Sequence, residues 1–255
     1  MTNQHPPLNA IGVRHNTDKA NQWSGRREPG SPPARGHDYL VKYESFLRHF
    51  VDREGVRILE LGAGPEWNCG ASARMWEEYF PQASDICIAE IRPDAEAIAT
   101  SRVRVAIGDL GRPEFLAELA ATTWDVIIDD ASHQWHHQTQ SLLELLPAVK
   151  PGGVFILEDV HTSFGDLRAR YGGPDVRDAN GFVGRDRPDP MHILTEAAYL
   201  VAGGGESHPA LDLSVTESFS RRVARQVRSI TFVNHAAVIV TASDDGSYLS
   251  FDRGV

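Results

Sequence analysis

The chain has 255 residues, 41% apolar and 24% charged, with a formal net charge of −10. That is enough apolar material for one doubly wound α/β core, while the acidic balance and lack of a long basic run speak against nucleic acid as a partner. The two cysteines, Cys69 and Cys87, give no disulfide framework, the start carries no signal-peptide pattern, and no apolar stretch approaches the roughly 20 residues that span a membrane, so a soluble cytoplasmic protein is expected.

Thr17-Asp18-Lys19 lies in a polar segment, and residues 22–37, dense in Gly, Pro and Arg, read as an irregular loop. Tyr39, Tyr43, Phe46, Leu47 and Phe50 recur at helical spacing and predict a helix over 39–50, with its aromatic stripe read as core. The chain then alternates. Strands are expected at 56–61, 86–90, 103–107, 124–128 and 154–157. Helices are expected at 72–80, 95–99, 113–121 and 139–149. This repetition predicts a parallel, Rossmann-like sheet with helices on both faces. Residues 165–190 break the rhythm and read as a long lid loop. A helix at 191–201 comes next, then a polar loop to about 221, and finally strands at 227–233 and 236–242 joined by Asn234-His235 as an antiparallel hairpin. One α/β domain over 1–255 is expected: an N-terminal cap segment and helix (1–50), a core (51–164), the lid (165–190) and the C-terminal helix and hairpin (191–255).

The chemistry gathers where apolar strands end. Trp124–Ile128 runs into Asp129-Asp130-Ala131-Ser132-His133, and Val154–Leu157 runs into Glu158-Asp159. Ligands of open α/β sheets sit beyond the carboxyl ends of such strands. Several carboxylates gathered there repel one another unless a cation or proton offsets them. Oxygen ligands without a nearby cysteine pair suit Mg²⁺, Mn²⁺ or Ca²⁺ rather than zinc. A histidine beside such a cation is a candidate general base for a hydroxyl, which is a poor nucleophile at neutral pH.

Upstream, Arg57-Ile-Leu-Glu60-Leu-Gly62-Ala-Gly64 is a strand entering a tight glycine turn. A dinucleotide fingerprint needs a third glycine at position 67, which is Trp67, so a dehydrogenase is disfavoured. Glu90 ends the second strand, and Gly108-Asp109 succeeds the third. Each acid alone fits a helix cap. Together they resemble the class I S-adenosylmethionine-dependent methyltransferases.

That resemblance implies roles for these positions: Gly62 and Gly64 against the methionine part of the cofactor, Glu90 on the ribose and Asp109 at the adenine amino group, with Glu60, Ser72 and Gly108 as further cofactor-binding positions and Asp129 on the cofactor side. Residues 72–76 (Ser-Ala-Arg-Met-Trp), Asp129-Asp130-Ala-Ser-His133, His137, Lys150-Pro-Gly-Gly153, Glu158 to Phe164 and Thr17-Asp18-Lys19 further resemble the metal-dependent sugar O-methyltransferases of macrolide and other polyketide deoxysugars, with their cephalosporin-hydroxylase-like relatives. By that resemblance Asp130, Glu158 and Asp159 bind Mg²⁺ and His133 is the base. Ala131 stands where the family commonly has Gly.

His137 is assigned a supporting position, His161 the rim, and Arg168, Arg170, Arg177, Arg185 and Arg187 a solvated lid. The expected activity is methyl transfer to a sugar hydroxyl of a glycoside or an oligo- or polysaccharide such as a methylmannose saccharide. The expected partners are a small-molecule saccharide and, through exchange of the N-terminal segment and lid, a second copy of the chain. The rivals are a catechol-type O-methyltransferase and a non-catalytic cofactor-binding protein. The 165–190 segment offers a catechol clamp only Tyr171 and Phe182.

Overall fold

In a computed structural model, residues 5–25, 33–173, 175–177, 183–185, 189–203 and 217–242 are described. They fall into two compact units, one built from residues 1–109 with 232–236, the other from 110–231 with 237–255.

The first unit opens with α1 (Leu8–Arg14), the short antiparallel pair β1 (Gln22–Trp23) and β2 (Ala34–Arg35), and α2 (Leu40–Leu47), which ends in a 3₁₀ turn over Arg48–Phe50. Helix α1 lies in a stretch expected to be merely polar. Gly12 suits the close approach of the two helices: a Cβ there would sit 2.2 Å from Leu40 Cδ1, so the leucine tip would have to move aside. Next come β3 (Val56–Leu61), α3 (Ala71–Tyr79), β4 (Ala83–Glu90), a 3₁₀ stretch at Pro93–Ile98, and β5 (Val103–Ile107). The three long strands pair in parallel, with Ile58 opposite Ile86, Leu61 opposite Ala89 and Glu90 opposite Ile107. Strand β3 is buried at five of its six positions, as expected of a strand covered on both faces. Helix α3 turns Met75, Trp76 and Tyr79 inward. Truncating a fully buried Trp76 to alanine costs on the order of 3–5 kcal/mol.

The second unit carries α4 (Pro113–Ala120), β6 (Trp124–Asp129), α5 (Trp135–Leu145), β7 (Val149–Leu157), α6 (Leu167–Tyr171), the small hairpin β8 (Asp175–Arg177) and β9 (Val183–Arg185), α7 (Pro190–Ala202), α8 (Glu217–Ala224), β10 (Val227–Val233) and β11 (Ala236–Thr241). Pro113 starts α4 in the first turn, where its missing N–H is harmless. Strand β6 is buried at all six positions. It runs parallel to β7 with Asp129 opposite Leu157, so the acidic segments beyond the two strands emerge side by side. Strand β11 runs antiparallel to β7, Ile239 opposite Phe155. Asp125 Oδ2 accepts from Lys150 Nζ at 2.6 Å, tying the start of β6 to β7.

The fold class is as expected. Seven strands in the order β10-β11-β7-β6-β3-β4-β5 make a mostly parallel Rossmann-like sheet with an antiparallel C-terminal hairpin. The expected lid differs. It contains α6 and the β8–β9 hairpin, elements too short for any periodicity to reveal. Helix α8 likewise lies where the polar loop was expected to end. Phe182, Arg187 and the stretch 204–216 fall outside the described residues. Among the described residues no helix is long and apolar enough to cross a membrane.

Candidate functional site

In the first unit the glycine turn after β3 takes the left-handed backbone that its sequence implies, with φ of +97° at Gly62 and +79° at Gly64. Gly62 N donates to Ala89 O and Gly70 N to Ala63 O, each at 2.8 Å, which closes the turn on itself. Glu60 lies beneath it, wholly buried. Its Oε2 accepts from Ser72 Oγ at 2.6 Å, and Lys19 Nζ stands 3.6 Å from its Oε1, with Lys19 only 1% exposed. The lysine of the Thr17-Asp18-Lys19 element therefore reaches under the turn. This neutralises a carboxylate that burial alone would make costly.

Glu90 ends β4 with both oxygens engaged. Oε2 accepts from Ala63 N at 3.0 Å, and Oε1 from Ile91 N at 2.9 Å, Arg92 N at 3.1 Å and Arg92 Nε at 3.2 Å. Burial by itself would raise its pKa, but the hydrogen bonds from Arg92 and Ala63 prevail and hold the carboxyl below its ordinary value. Arg92 also donates to Gly64 O at 2.6 Å, linking the glycine turn to the acid. A carboxylate offers about four lone-pair sites. Any hydroxyl that approached Glu90 would have to take over contacts that Arg92 now makes. Sequence reasoning passed over Arg92, although its place two residues beyond the acid was a usable signal. Gly108 N donates to Glu90 O at 2.9 Å, which sets Asp109 just past the end of β5.

In the second unit the metal and base candidates are brought together. His133 Nε2 lies 3.2 Å from Asp159 Oδ2 and 3.9 Å from Asp130 Oδ1. The ligand atoms of Asp130, His133 and Asp159 all fall within 4.8 Å of one another. Two carboxylates and no thiol fit a hard divalent cation, with the imidazole beside it. His133 and Asp159 both adopt left-handed backbone, φ +56° and +57°. Such conformations cost about 1–3 kcal/mol for non-glycine residues and collect at functional sites. Asp159 lies beside His133, while Glu158, 1% exposed, stands outside that group. His161 Nδ1 is 3.7 Å from Asp159 Oδ1, with its side chain partly exposed. The Tyr171 ring centroid, on α6, lies 6.5 Å from that of His133.

Asp129 is buried rather than open to a ligand. It accepts from Ser141 Oγ of α5 and, at 3.4 Å, from Ala131 N. Burial raises its carboxyl pKa in spite of those bonds and the nearby His133. Gln138 Nε2 donates to Glu158 O at 2.8 Å, and Ser132 Oγ is 2.7 Å from His137 Nδ1, so α5 braces both acidic loops. His137 thus supports the loop that carries His133. Tyr39 and Tyr43 stack at 5.7 Å and are fully buried, as core.

No family model matches the chain. Among curated proteins it is similar to the demethylmacrocin O-methyltransferase of Streptomyces fradiae, 33% identical over 169 residues, which is 64% of this chain and 38% of that protein. It is also similar to the L-olivosyl-oleandolide 3-O-methyltransferase of Streptomyces antibioticus, 35% identical over 181 residues, 68% of this chain and 41% of that protein. The chain thus spans about two fifths of the length of these relatives. Among solved structures, MycE methyltransferase from the mycinamycin biosynthetic pathway, in complex with Mg, SAH and mycinamycin VI, superposes with a TM-score of 0.69 at 23% identity, over 97% of this chain and 58% of that one. The fold is shared. In sequence, the matched part of the chain is related to proteins named as O-methyltransferases of demethylmacrocin, L-olivosyl-oleandolide and mycinamicin VI.

Proposed function

We propose that this chain, a relative of the deoxysugar O-methyltransferases, transfers a methyl group from S-adenosylmethionine to a sugar hydroxyl with a bound Mg²⁺. The observation that carries the proposal is the placing of His133 Nε2 at 3.2 Å from Asp159 and 3.9 Å from Asp130. A base and two hard ligands whose atoms lie within 4.8 Å of one another suit a hydroxyl that must be both bound and deprotonated.

In this reading Asp130 and Asp159 would hold the cation, and Glu158, which adjoins Asp159 in the chain, is buried outside their cluster. Bound there, the cation would supply the Lewis acidity that favours ionisation of a sugar hydroxyl. The Asp130 and Asp159 carboxylates fix the acceptor oxygen against His133, and His133 Nε2 takes its proton. The Gly62–Gly64 turn, Ser72, Glu90, Gly108 and Asp109 bind and orient the methyl donor, whose sulfonium supplies an electrophilic methyl, while the buried Glu60 and Asp129 brace the segments around them. The acceptor oxygen forms a bond to that carbon as the carbon–sulfur bond breaks, leaving a thioether. The transfer then needs only in-line approach.

The test is methyl transfer from labelled S-adenosylmethionine to a panel of glycosides, with and without EDTA. Transfer to glycosides that EDTA abolishes and Mg²⁺ restores is expected. Undiminished turnover after rigorous metal removal would overturn the metal assignment, and transfer to catechols alone would favour the catechol-type reading.

A further inference from the structure

We infer that the cavity beside α6 seats a second sugar ring of the acceptor, the ring next to the one being methylated. The inference rests on the methyl-transfer reading and specifies its substrate as at least a disaccharide. The cavity holds about 280 Å³. That is just below the usual range for ligand pockets, roughly 300–1,000 Å³, which fits a single pyranose and is too small for a macrolactone.

Its position joins it to the reaction. Phe164 is separated from Asp159 by one 3₁₀ turn, Val160–Ser163, and lines the cavity. Arg168 lines it too and lies three residues from Tyr171 on α6, so both share a helix face. Tyr171 is the residue that sits against the His133 ring. A glycoside with one oxygen at His133 therefore extends along α6 into the cavity.

Its walls match a sugar. Phe164 is 58% exposed, a flat apolar face suited to the C–H side of a pyranose. The Arg168 guanidinium lies 5.8 Å over the Trp135 ring, held in place by aromatic contact rather than by a carboxylate. It brings hydrogen-bond donors to one side. Asp189 uses Oδ1 to accept from Ser163 Oγ at 2.6 Å and Met191 N at 2.9 Å, which leaves Oδ2 to accept from a hydroxyl. Donors, an acceptor and an aromatic face around a space the size of one ring are what a polyhydroxylated, partly apolar ligand requires. Thr195 and Glu196 of α7 form the floor. Thr195 Oγ1 donates to Met191 O at 2.8 Å, and Glu196 accepts from Ser220 Oγ and stands 2.8 Å from His192 Nε2, so the floor is pre-formed.

The test measures affinity by calorimetry for methyl α-L-rhamnoside and for the corresponding methyl rhamnosyl-rhamnoside, on enzyme saturated with Mg²⁺ and S-adenosylhomocysteine. The disaccharide is expected to bind about tenfold more tightly, the scale of one or two hydrogen bonds to charged groups. Thr195→Trp, which fills the cavity, should erase that ratio. Phe164→Ala, a surface change that does not threaten the fold, should reduce it severalfold. Cofactor affinity is the control for folding. Equal affinities in the wild type, binding of neither sugar, or a ratio that survives both substitutions would overturn the inference. Methyl transfer assayed in parallel separates the two claims. Transfer without a disaccharide advantage refutes the second-ring seat alone, and an advantage without transfer supports the seat while refuting the methyltransferase reading.

Discussion

Lys19 Nζ stands 3.6 Å from Glu60 Oε1, and the two side chains are 1% and 0% exposed. Removing one member of such a pair leaves the other buried and uncompensated, at about 3–5 kcal/mol. Lys19→Met is therefore expected to lower urea stability by that amount. Lys19→Met with Glu60→Gln should lose distinctly less, because a neutral amide oxygen still accepts from Ser72 and no charge is stranded. Additive losses in the double variant would mean that the pair is not coupled.

His133→Ala is expected to lower the rate of transfer by about 10²–10⁴-fold, the usual worth of a positioned general base. Cofactor affinity, measured by calorimetry with S-adenosylhomocysteine, should stay within about twofold, since His133 lies in the acidic cluster and not among the cofactor-turn residues. A variant that kept its rate would remove His133 from the role of base.

Glu90 sets a pH dependence. Its carboxyl is held below the ordinary glutamate value, about 4.3. Such a group contributes stability that is fully present above the unfolded value and is lost as pH falls through the lowered folded value. Thermal stability should thus acquire an acid-side decline below about pH 4.3 that Glu90→Gln makes shallower. Melting curves of both proteins from pH 7 down to 3 check this. Parallel curves would show that Glu90 carries no such linkage.

The two cysteines should separate in a thiol assay. Burial pushes the Cys87 thiol up to about 12, and its side chain is 0% exposed, whereas Cys69 is partly exposed beside Arg92. One thiol is expected to react with Ellman's reagent at pH 8 in the native protein and two after denaturation. A Cys69→Ser variant that still reacts while native would show that β4 opens locally.

Much of this organisation was legible in the chain. The apolar runs at 56–61, 86–90, 103–107, 124–128 and 154–157 each proved to be strands, because buried parallel strands write themselves as continuous hydrophobic stretches. The acids after them were legible for the same reason, since the residues just past a buried strand emerge at the sheet's carboxyl edge. Helix α1 was hidden by Gly12, which reads as a breaker yet serves close approach to Leu40. The partnership of Lys19 with Glu60 joins positions far apart in sequence and leaves no local periodicity. Glu158 was expected among the ligands because it adjoins Asp159. What the letters do not reveal is that Asp159 joins Asp130 and His133 in one cluster while Glu158 is buried outside it.

The left-handed backbone at His133 and Asp159 has an evolutionary edge. Glycine occupies such a conformation without strain, so at both 133 and 159 the fold alone would favour it over the residue present. A library of variants selected only for heat resistance should drift toward glycine or asparagine at these two positions, while one selected for product formation should hold His133 and Asp159 fixed. The two selections would pull the same pair of codons in opposite directions, and the size of the divergence would report how much stability the chain gives up to keep its chemistry.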